Sequence, residues 1–305
     1  MTTLALVGKG RWGKNYISSI RKLSSCKLPE NFIKTTDYKE LLSSKGIDGV
    51  IIATPAFTHF QIAKEFLEKG FNVLIEKPMT TNYKDALRLS KISNKHKNIV
   101  MVGHVYLYNP AFLEVKNLLN SIGKIKYISS EGMDDGPIRQ DISVLWDWAP
   151  HDISMSIDLL GGLPVNVCGY GSKESNSNRK FYDSCYLKLK FTKDIFVFIK
   201  VSWSSPVKKR NTIIVGEKGT IIFDDTVERK IRLVKNLGKD VGTSFPSFSK
   251  ITPLSMEISN FVDQIKNKDK INNSSLKIGM DVIKVLEACE KSIKLDGRNI
   301  KLNRF

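Results

Sequence analysis

Three glycines near the amino terminus have the spacing of a phosphate-binding turn. They directly follow a short apolar run, and the residues after them have the pattern of a helix. In such a context the first glycine permits the turn, the second lets the backbone approach a pyrophosphate, and the third lets the helix pack closely. A merely structural tight turn is the alternative. The residues predicted to contact a dinucleotide here are Gly8, Gly10, Arg11, Trp12 and Gly13.

Asp147 and His151 form a second group whose spacing suits chemistry. They lie four residues apart near the start of a predicted helix, so both side chains can point into one cleft. An imidazole titrates near neutral pH and suits a general base, and a carboxylate could orient it or bind a hydroxyl. The alternative is that Asp147 caps the helix and His151 is a packed histidine.

The elements around these residues change in character along the chain. Up to about Ser121, apolar strands alternate with amphipathic helices, which is typical of a parallel sheet covered on both faces. Longer alternating strands follow, with a main helix from Val144 to Leu160 and two helices near the end. We therefore predict an α/β protein. A Rossmann-type domain with a parallel sheet spans residues 1–121, and an α+β domain with an open mixed or antiparallel sheet spans residues 122–305.

The second strand of the first domain is predicted to be shortened or missing. In dinucleotide-binding folds this strand ends in an acidic residue about 20 positions after the glycine motif, where it binds the ribose. The segment from Cys26 to Asp37 is too short and too polar for a buried strand, its acid and another helix. Glu30 lies at a plausible distance, but it follows Pro29 in a predicted loop, and we favour a solvated carboxylate. The choice between NAD and NADP stays open.

Composition narrows the class of protein. Hydrophobic residues make up 41% and charged residues 26% of the chain, and no apolar run approaches the length of about 20 residues that spans a bilayer. The net charge is +17, but the lysines are mostly dispersed, so we predict neither nucleic-acid nor membrane partners. The amino terminus does not resemble a signal peptide. The cysteines lack a C-x-x-C pair, which favours a reducing, cytoplasmic setting and no metal site: Cys26, Cys168, Cys185 and Cys289.

Several motifs together resemble the Gfo/Idh/MocA oxidoreductase family. Glu76-Lys77-Pro78 ends a predicted strand, Ala53-Thr54-Pro55 precedes it, and the tryptophan-rich segment from Trp146 to Asp152 follows. The resemblance extends to Val215–Thr220 and to Gly297–Leu302, so it covers nearly the whole chain. It implies oxidation or reduction of a secondary alcohol on a sugar or cyclitol with NAD(P). The tryptophan-rich segment is most similar to members that act on nucleotide-activated or related sugars.

The resemblance also assigns roles to individual residues. Lys77 would hydrogen-bond the reacting hydroxyl and stabilise alkoxide charge. His151 would take the hydroxyl proton, and Asp147 would orient the His151 imidazole. The family usually has glycine two residues before the histidine, where this chain has Ala149. Additional cofactor contacts are expected from Thr54, Pro55, Glu76 and Lys77. Substrate contacts are expected from Tyr108 and Asn109, for which core packing is the alternative.

Two histidines and two carboxylates are expected to contribute less. His59 follows Thr54-Pro55 and is expected to cap or pack, and His104 is a weak site candidate after a strand. Asp152 and Asp158 are predicted to lie on the surface of their helix.

The sequence therefore predicts an NAD(P)-dependent oxidoreductase that transfers a hydride between a sugar's secondary alcohol, possibly nucleotide-activated, and nicotinamide. The alternative is a non-catalytic relative that binds cofactor or ligand, because the shortened second strand removes part of the usual adenosine site. An open sheet with an apolar free face predicts a homodimer or homotetramer.

Overall fold

The computed structural model describes residues 1–34, 37–173, 181–237, 240–267 and 272–302. The chain forms two compact units, and neither is continuous in sequence. The first contains Met1–Asn109 and Ile251–Ile283, and the second contains Pro110–Lys250 and Lys284–Phe305. The sequence places one boundary near residue 121, whereas the chain crosses between the units after Asn109, after Lys250 and after Ile283.

The first unit is built on a parallel sheet, as predicted. Its strands are β1 (Thr2–Val7), β2 (Cys26–Lys27), β3 (Ile33–Lys34), β4 (Gly49–Ile52), β5 (Asn72–Glu76) and β6 (Val100–Gly103). The order is β2-β1-β4-β5-β6, with β3 also paired to β1. The connecting helices are α1 (Arg11–Ile20), α2 (Ala56–Glu68) and α3 (Tyr83–His96). Every residue of β1 and of β4 is buried, because helices cover both faces of a parallel sheet.

The second strand is shortened, as predicted from sequence, and it is also split. β2 pairs with the start of β1 and β3 with its end, while Pro29 begins a 3-10 turn at Glu30–Phe32 between them. Proline has no N–H to donate to a sheet, so the strand is interrupted there. Glu30 is exposed and lies 2.7 Å from Arg21, which places it on the surface as a solvated carboxylate.

Two late helices belong wholly or partly to the first unit: α6 (Pro253–Lys266) and the first turns of α7 (Leu276–Lys294). Thr252 caps α6 by accepting a hydrogen bond from the Ser255 N–H at 3.3 Å. A Cβ at Gly49 would lie 2.7 Å from Ile265 Cδ1 and 2.9 Å from Phe261 Cε1. The glycine thus lets α6 pack directly on the start of β4.

In the described residues, the second unit is built on a sheet of nine strands. Its strands are β7 (Ile125–Asp135), β8 (Asn166–Ser172), β9 (Ser184–Lys190), β10 (Phe196–Ser202), β11 (Ser204–Gly216), β12 (Gly219–Asp224), β13 (Ile231–Leu237), β14 (Asp240–Ser244) and β15 (Ile300–Lys301). The order is β14-β13-β12-β11-β7-β10-β9-β8-β15. β10 and β7 are parallel, whereas β11 runs antiparallel to β7, so the sheet is mixed, as predicted.

The two faces of this sheet differ. The helix α5 (Val144–Leu160) packs against β7, β9 and β10, and α4 (Pro110–Leu118) packs against β12. The opposite face exposes large aromatic side chains, namely Tyr127, Tyr170, Tyr186 and Phe198, each 42–56% exposed. No helix in the described ranges is long and apolar enough to cross a membrane.

Candidate active site

The glycine turn after β1 has two crowded positions and one open one. A Cβ at Gly13 would lie 1.9 Å from the Gly8 carbonyl oxygen, and one at Gly8, where φ is +107°, would lie 2.4 Å from the Ala53 oxygen. A Cβ at Gly10 would meet no atom of the described residues within 4 Å. Gly8 and Gly13 therefore close the turn against its neighbours, and Gly10 leaves a clear approach to the backbone.

Helix α1 begins at this accessible stretch of backbone. Gly10 is its N-cap, no side chain caps the helix, and its first turn holds no acidic residue. Arg11 is exposed and Trp12 is half-buried. Uncapped N–H groups at a helix start bind anions, so the turn fits the pyrophosphate of a dinucleotide.

The other predicted cofactor residues follow neighbouring strands. Thr54 and Pro55 follow β4, and Lys77 follows β5, so these residues lie at the same carboxyl edge of the sheet as the glycine turn. Ligands of open parallel sheets gather at this edge. His59 joins two of these turns, because Nε2 lies 2.8 Å from the Thr54 oxygen and Nδ1 lies 2.9 Å from the Pro78 oxygen. This buried histidine therefore has the packing role expected of it.

Lys77 is held in a defined position at the end of β5. The residue is 9% exposed, and the bond between Lys77 and Pro78 is cis. Its backbone N–H donates to Glu76 Oε2 at 3.1 Å. A Cβ at Gly103 would lie 3.1 Å from Glu76 Oε1, so that glycine makes room for the carboxylate beside the candidate catalytic lysine.

His104 lies after β6, the next strand of the sheet. Its Nδ1 is 2.9 Å from Ser274 Oγ, and that hydroxyl donates to the Val102 carbonyl oxygen at 2.6 Å. Because the serine hydrogen is already used, Nδ1 is the donor and Nε2 carries the lone pair. Burial, with a smaller effect from the positive charge of Lys77, lowers the pKa of His104 to about 3. A neutral imidazole therefore lies near the candidate lysine.

A buried cluster that the sequence analysis missed lies behind Lys77. The Tyr16 hydroxyl on α1 is 2.9 Å from Glu76 Oε1 and 2.9 Å from Glu257 Oε1 on α6. Tyr16 and Glu257 have no exposed surface, and Glu76 is 6% exposed. The α6 residue is 241 positions from Tyr16, so no local pattern could have identified it.

In the second unit, α5 carries the predicted Asp147 and His151. Ser143 caps this helix by accepting from the Trp146 N–H at 3.4 Å, so Asp147 is not the cap. Its carboxylate instead accepts a hydrogen bond from Arg139 Nη1 at 3.2 Å. The four-residue spacing within the helix places Asp147 and His151 on one face.

Arg139 is a second residue that the sequence analysis missed. Besides its bond to Asp147, its Nε and Nη2 atoms donate to the two carboxylate oxygens of Asp141 at 3.0 and 2.7 Å. A bidentate arginine–carboxylate pair has a restricted geometry. Arg139 is therefore suited to hold the Asp147 carboxylate in a fixed direction.

The prediction that Asp152 lies on the helix surface was wrong. Its side chain is 1% exposed and lies 3.1 Å from Arg210 Nη1 of β11, and it accepts a hydrogen bond from Ser130 Oγ of β7 at 2.5 Å. Burying a carboxylate requires such partners, and they come from strands distant in sequence. Asp158 is partly exposed and pairs with Lys116 at 2.8 Å.

The two candidate substrate residues are both buried, each 2% exposed. The Tyr108 hydroxyl accepts a hydrogen bond from the Ser274 N–H at 3.1 Å and donates toward Asn260 Oδ1 at 3.2 Å. Burial raises the pKa of Tyr108 well above its ordinary value. This hydroxyl therefore serves internal packing in the first unit, and Asn109 ends that stretch of the unit.

The predicted site residues thus fall into two groups. The glycine turn, Thr54-Pro55 and Glu76-Lys77 share one edge of the first sheet, whereas Asp147 and His151 share a helix in the second unit. No group of histidine, cysteine or acidic side chains that could hold a metal ion occurs among the described residues.

The parallel sheet and glycine turn of the first unit are typical of dinucleotide-binding domains. Two family models match the chain: an oxidoreductase family, NAD-binding Rossmann fold, over residues 24–104, and the C-terminal α/β domain of the same family over residues 119–302. The chain belongs to the Gfo/Idh/MocA oxidoreductase family. The resemblance stated from its motifs is confirmed.

Relatives of this chain have names that describe different reactions. The 2,7-anhydro-N-acetylneuraminate hydratase of Mediterraneibacter gnavus is 25% identical over 62% of this chain and 54% of that protein. The UDP-N-acetylglucosamine 3-dehydrogenase of Acidithiobacillus ferrooxidans is 30% identical over 41% of this chain and 40% of that protein. The match thus spans only about half of these relatives. A solved putative oxidoreductase from Magnetospirillum magnetotacticum MS-1 superposes with a TM-score of 0.85 at 29% identity, covering 94% of this chain and 99% of that one.

Proposed function

We propose that this protein transfers a hydride between a secondary alcohol of a sugar, possibly nucleotide-activated, and NAD or NADP. One observation carries the proposal. Lys77 follows β5 at the same sheet edge as a glycine turn whose open position and uncapped helix suit a pyrophosphate. A cation beside a dinucleotide site is the arrangement that alcohol oxidation requires.

The proposed chemistry assigns a separate role to each candidate residue. A dinucleotide held at the glycine turn would supply the hydride-accepting chemistry. Lys77 donates a hydrogen bond to the reacting oxygen and stabilises its developing negative charge. His151 takes the hydroxyl proton, and Asp147, held by Arg139, orients that base. The alcohol loses a hydride and a proton and becomes a ketone. We assign substrate contact to Asn109, whereas the Tyr108 hydroxyl packs inside the first unit.

The first experiment is a titration of the purified protein with NADH and with NADPH, followed by nicotinamide fluorescence and thermal shift. Saturable binding of either one supports the dinucleotide site and identifies the cofactor. If neither binds, the cofactor assignment is wrong and a non-catalytic ligand-binding protein becomes the better interpretation.

A substrate screen then tests catalysis with inositols, simple sugars and UDP-sugars. Lys77→Ala and His151→Ala are expected to lower turnover by at least about a hundredfold, as loss of a general base or charge-stabilising group does. Exposed residues of the same types provide matched controls: Lys84→Ala and His96→Ala, both on α3. Unchanged turnover in both test variants would show that the catalytic assignment is wrong.

A reaction without net change in NADH is the second candidate, because one relative is named a hydratase. The screen therefore needs product analysis as well as absorbance. Product that forms at constant NADH would replace the dehydrogenase assignment with one in which the cofactor is not consumed.

We also propose that the protein forms a homodimer or homotetramer through the free face of the second sheet, where Tyr127, Tyr170, Tyr186 and Phe198 are exposed. Clusters of exposed large aromatic side chains are typical of surfaces that contact another protein. Light scattering after size exclusion tests this, and Phe198→Glu should give a monomer. A cytoplasmic location and the lack of nucleic-acid or membrane partners stay predictions from sequence.

A further inference from the structure

One hydroxyl group lies between two buried carboxyl groups in the first unit. Tyr16 Oη is 2.9 Å from Glu76 Oε1 and 2.9 Å from Glu257 Oε1. A phenol has one hydrogen, so it can donate to only one of these oxygens. The other carboxyl group must donate a hydrogen of its own. The geometry therefore requires an additional proton on Glu76 or on Glu257.

Glu257 is the better place for that proton. Its residue is 0% exposed, and Oε2 accepts no hydrogen bond from any described residue. An ionised carboxylate in that position would lack solvation on one oxygen, which is costly in a protein interior. Burial, with the negative charge of Glu76 adding to it, raises the pKa of Glu257 well above its ordinary value.

Glu76 is correspondingly suited to carry the charge. Oε2 accepts the Lys77 N–H at 3.1 Å, and Oε1 faces the Tyr16 hydroxyl. Hydrogen bonds to a carboxylate favour its ionised form. The chain of donors thus runs from the Glu257 acid to the Tyr16 oxygen, and from the Tyr16 hydrogen to the Glu76 carboxylate.

We propose that Glu257 is a positioning residue that keeps its proton in the folded protein and, through Tyr16, holds Glu76 as a single negative charge beside Lys77. Two ionised carboxylates here would place a second negative charge in the interior behind the candidate catalytic lysine. The part of the proposal that concerns Lys77 rests on the proposed function, whereas the location of the proton does not.

The other groups that act on this cluster come from several elements of the first unit. Tyr16 from α1 and Tyr108 from the 3-10 turn Val105–Tyr108 both interact with Glu257, and burial raises the pKa of both tyrosines. Glu76 from β5 and the adjoining Lys77 complete the set. A variant that lacks only the Glu257 carboxyl group shares all of these groups with wild type, so the pH dependence of the difference between the two proteins reports on Glu257.

The decisive measurement is the unfolding equilibrium constant of wild type and Glu257→Gln as a function of pH. The unfolded chain releases the Glu257 proton above its ordinary pKa of about 4.3, while the folded protein keeps it. The ratio of the wild-type to the variant unfolding constant should thus rise with pH above about pH 5, by up to about tenfold per pH unit. A ratio that does not change with pH would overturn the proposal.

A matched control and a second readout guard against a misfolded variant. Glu30→Gln removes a surface carboxylate of the same unit, 75% exposed at its side chain, and should give a constant ratio. In wild type alone, infrared spectroscopy at pH 7.5 should show the C=O stretch of a protonated carboxyl group. Absence of that band contradicts the proposal even if Glu257→Gln does not fold.

Activity tests the positioning role separately. Glu257→Gln keeps a neutral donor to Tyr16 and should retain the wild-type pH profile of turnover, whereas Tyr16→Phe should shift it and lower turnover by up to about tenfold, the scale of one hydrogen bond. Equal pH profiles in all three proteins would remove the positioning role. If no cofactor binds but the ratio of unfolding constants rises with pH, the proposed function is wrong and the protonation of Glu257 is still supported.

Discussion

His104 Nδ1 lies 2.9 Å from Ser274 Oγ, and the same hydroxyl donates its hydrogen to the carbonyl oxygen of Val102. This relationship assigns the imidazole one tautomer and leaves its other nitrogen as an acceptor. The histidine also ties the end of β6 to the segment that leads into α7. A residue that the sequence marks only as a weak site candidate is therefore a neutral, oriented group near Lys77.

Acid should destabilise the protein through His104. Its pKa is lowered to about 3 in the folded state, whereas the unfolded histidine titrates near 6.5. Below that pH the unfolded chain binds the additional proton, so the contribution of His104 to stability falls as pH falls through this window, by up to about 1.4 kcal/mol per pH unit. The Glu257 proton acts in the opposite direction, so the quantity to compare is the difference in unfolding free energy between wild type and a His104 variant. His104→Asn should lose this dependence. Denaturant unfolding at pH 7.5 and 5 measures it, and His96→Asn, exposed at the end of α3, should behave as wild type.

Gly10→Ala and Gly13→Ala should separate binding from folding. Gly10 has φ −68° and open space around its Cβ position, so its alanine variant should fold normally but lose dinucleotide affinity by about tenfold or more, or about 1.4 kcal/mol. The Gly13 variant would press a methyl group against the Gly8 carbonyl oxygen and should cost about 1–3 kcal/mol of stability. Thermal shift and NADH titration distinguish them. Equal dinucleotide affinity in wild type and Gly10→Ala would show that the pyrophosphate does not approach the backbone at Gly10.

The Asp152–Arg210 pair should be a determinant of stability in the second unit. Asp152→Ala leaves a largely buried guanidinium without this partner and is expected to cost about 3–5 kcal/mol. The more exposed pair between Glu131 and Lys209, with side chains 28% and 41% exposed, is the comparison. Glu131→Gln should cost at most about 1 kcal/mol. Urea unfolding measures both free energies of unfolding. Similar losses in the two variants would show that the buried pair contributes no more to stability than the exposed one.

Arg139→Met should affect turnover more than cofactor binding. Without the guanidinium, Asp147 loses the donor that fixes its direction, and misplacing a catalytic group by about 1 Å can cost about a hundredfold. Dinucleotide affinity should not change, because the glycine turn lies in the other unit. Steady-state kinetics provides kcat and KM, with Arg21→Met as the surface control. A loss confined to KM would assign Arg139 to substrate binding instead.

Local signals explain why much of the fold can be predicted from the sequence. The helix predicted from Val144 to Leu160 has those bounds in the structure, since Ser143 caps its start and Gly161 ends it in a left-handed conformation. The shortened second strand is equally visible, because Pro29 and polar residues occupy the space where a buried strand would run. Caps, breakers and apolar periodicity act over a few residues.

Relationships between distant segments could not be predicted in this way. Glu257 reaches Tyr16 across 241 positions, and Asp152 reaches Arg210 across 58. In sequence, each looks like an ordinary charged residue on an amphipathic helix. Their burial depends on which sheet a helix packs against, and that choice depends on complementary surfaces such as Gly49 with Phe261. Single-sequence patterns do not contain this pairing.

The discontinuity of the first unit affects how the protein is made. Residues 251–283 belong to the same unit as residues 1–109. The apolar surface that packs against α6 therefore has no partner while residues 110–250 are translated. The same holds for the Tyr16 hydroxyl, whose partner is Glu257. The dinucleotide-binding unit reaches its native packing only after residue 283 has left the ribosome. A fragment cut after Asn109 would carry every glycine of the turn and yet be expected to aggregate, whereas a fusion of residues 1–109 to 251–283 through a short linker could recover a folded unit.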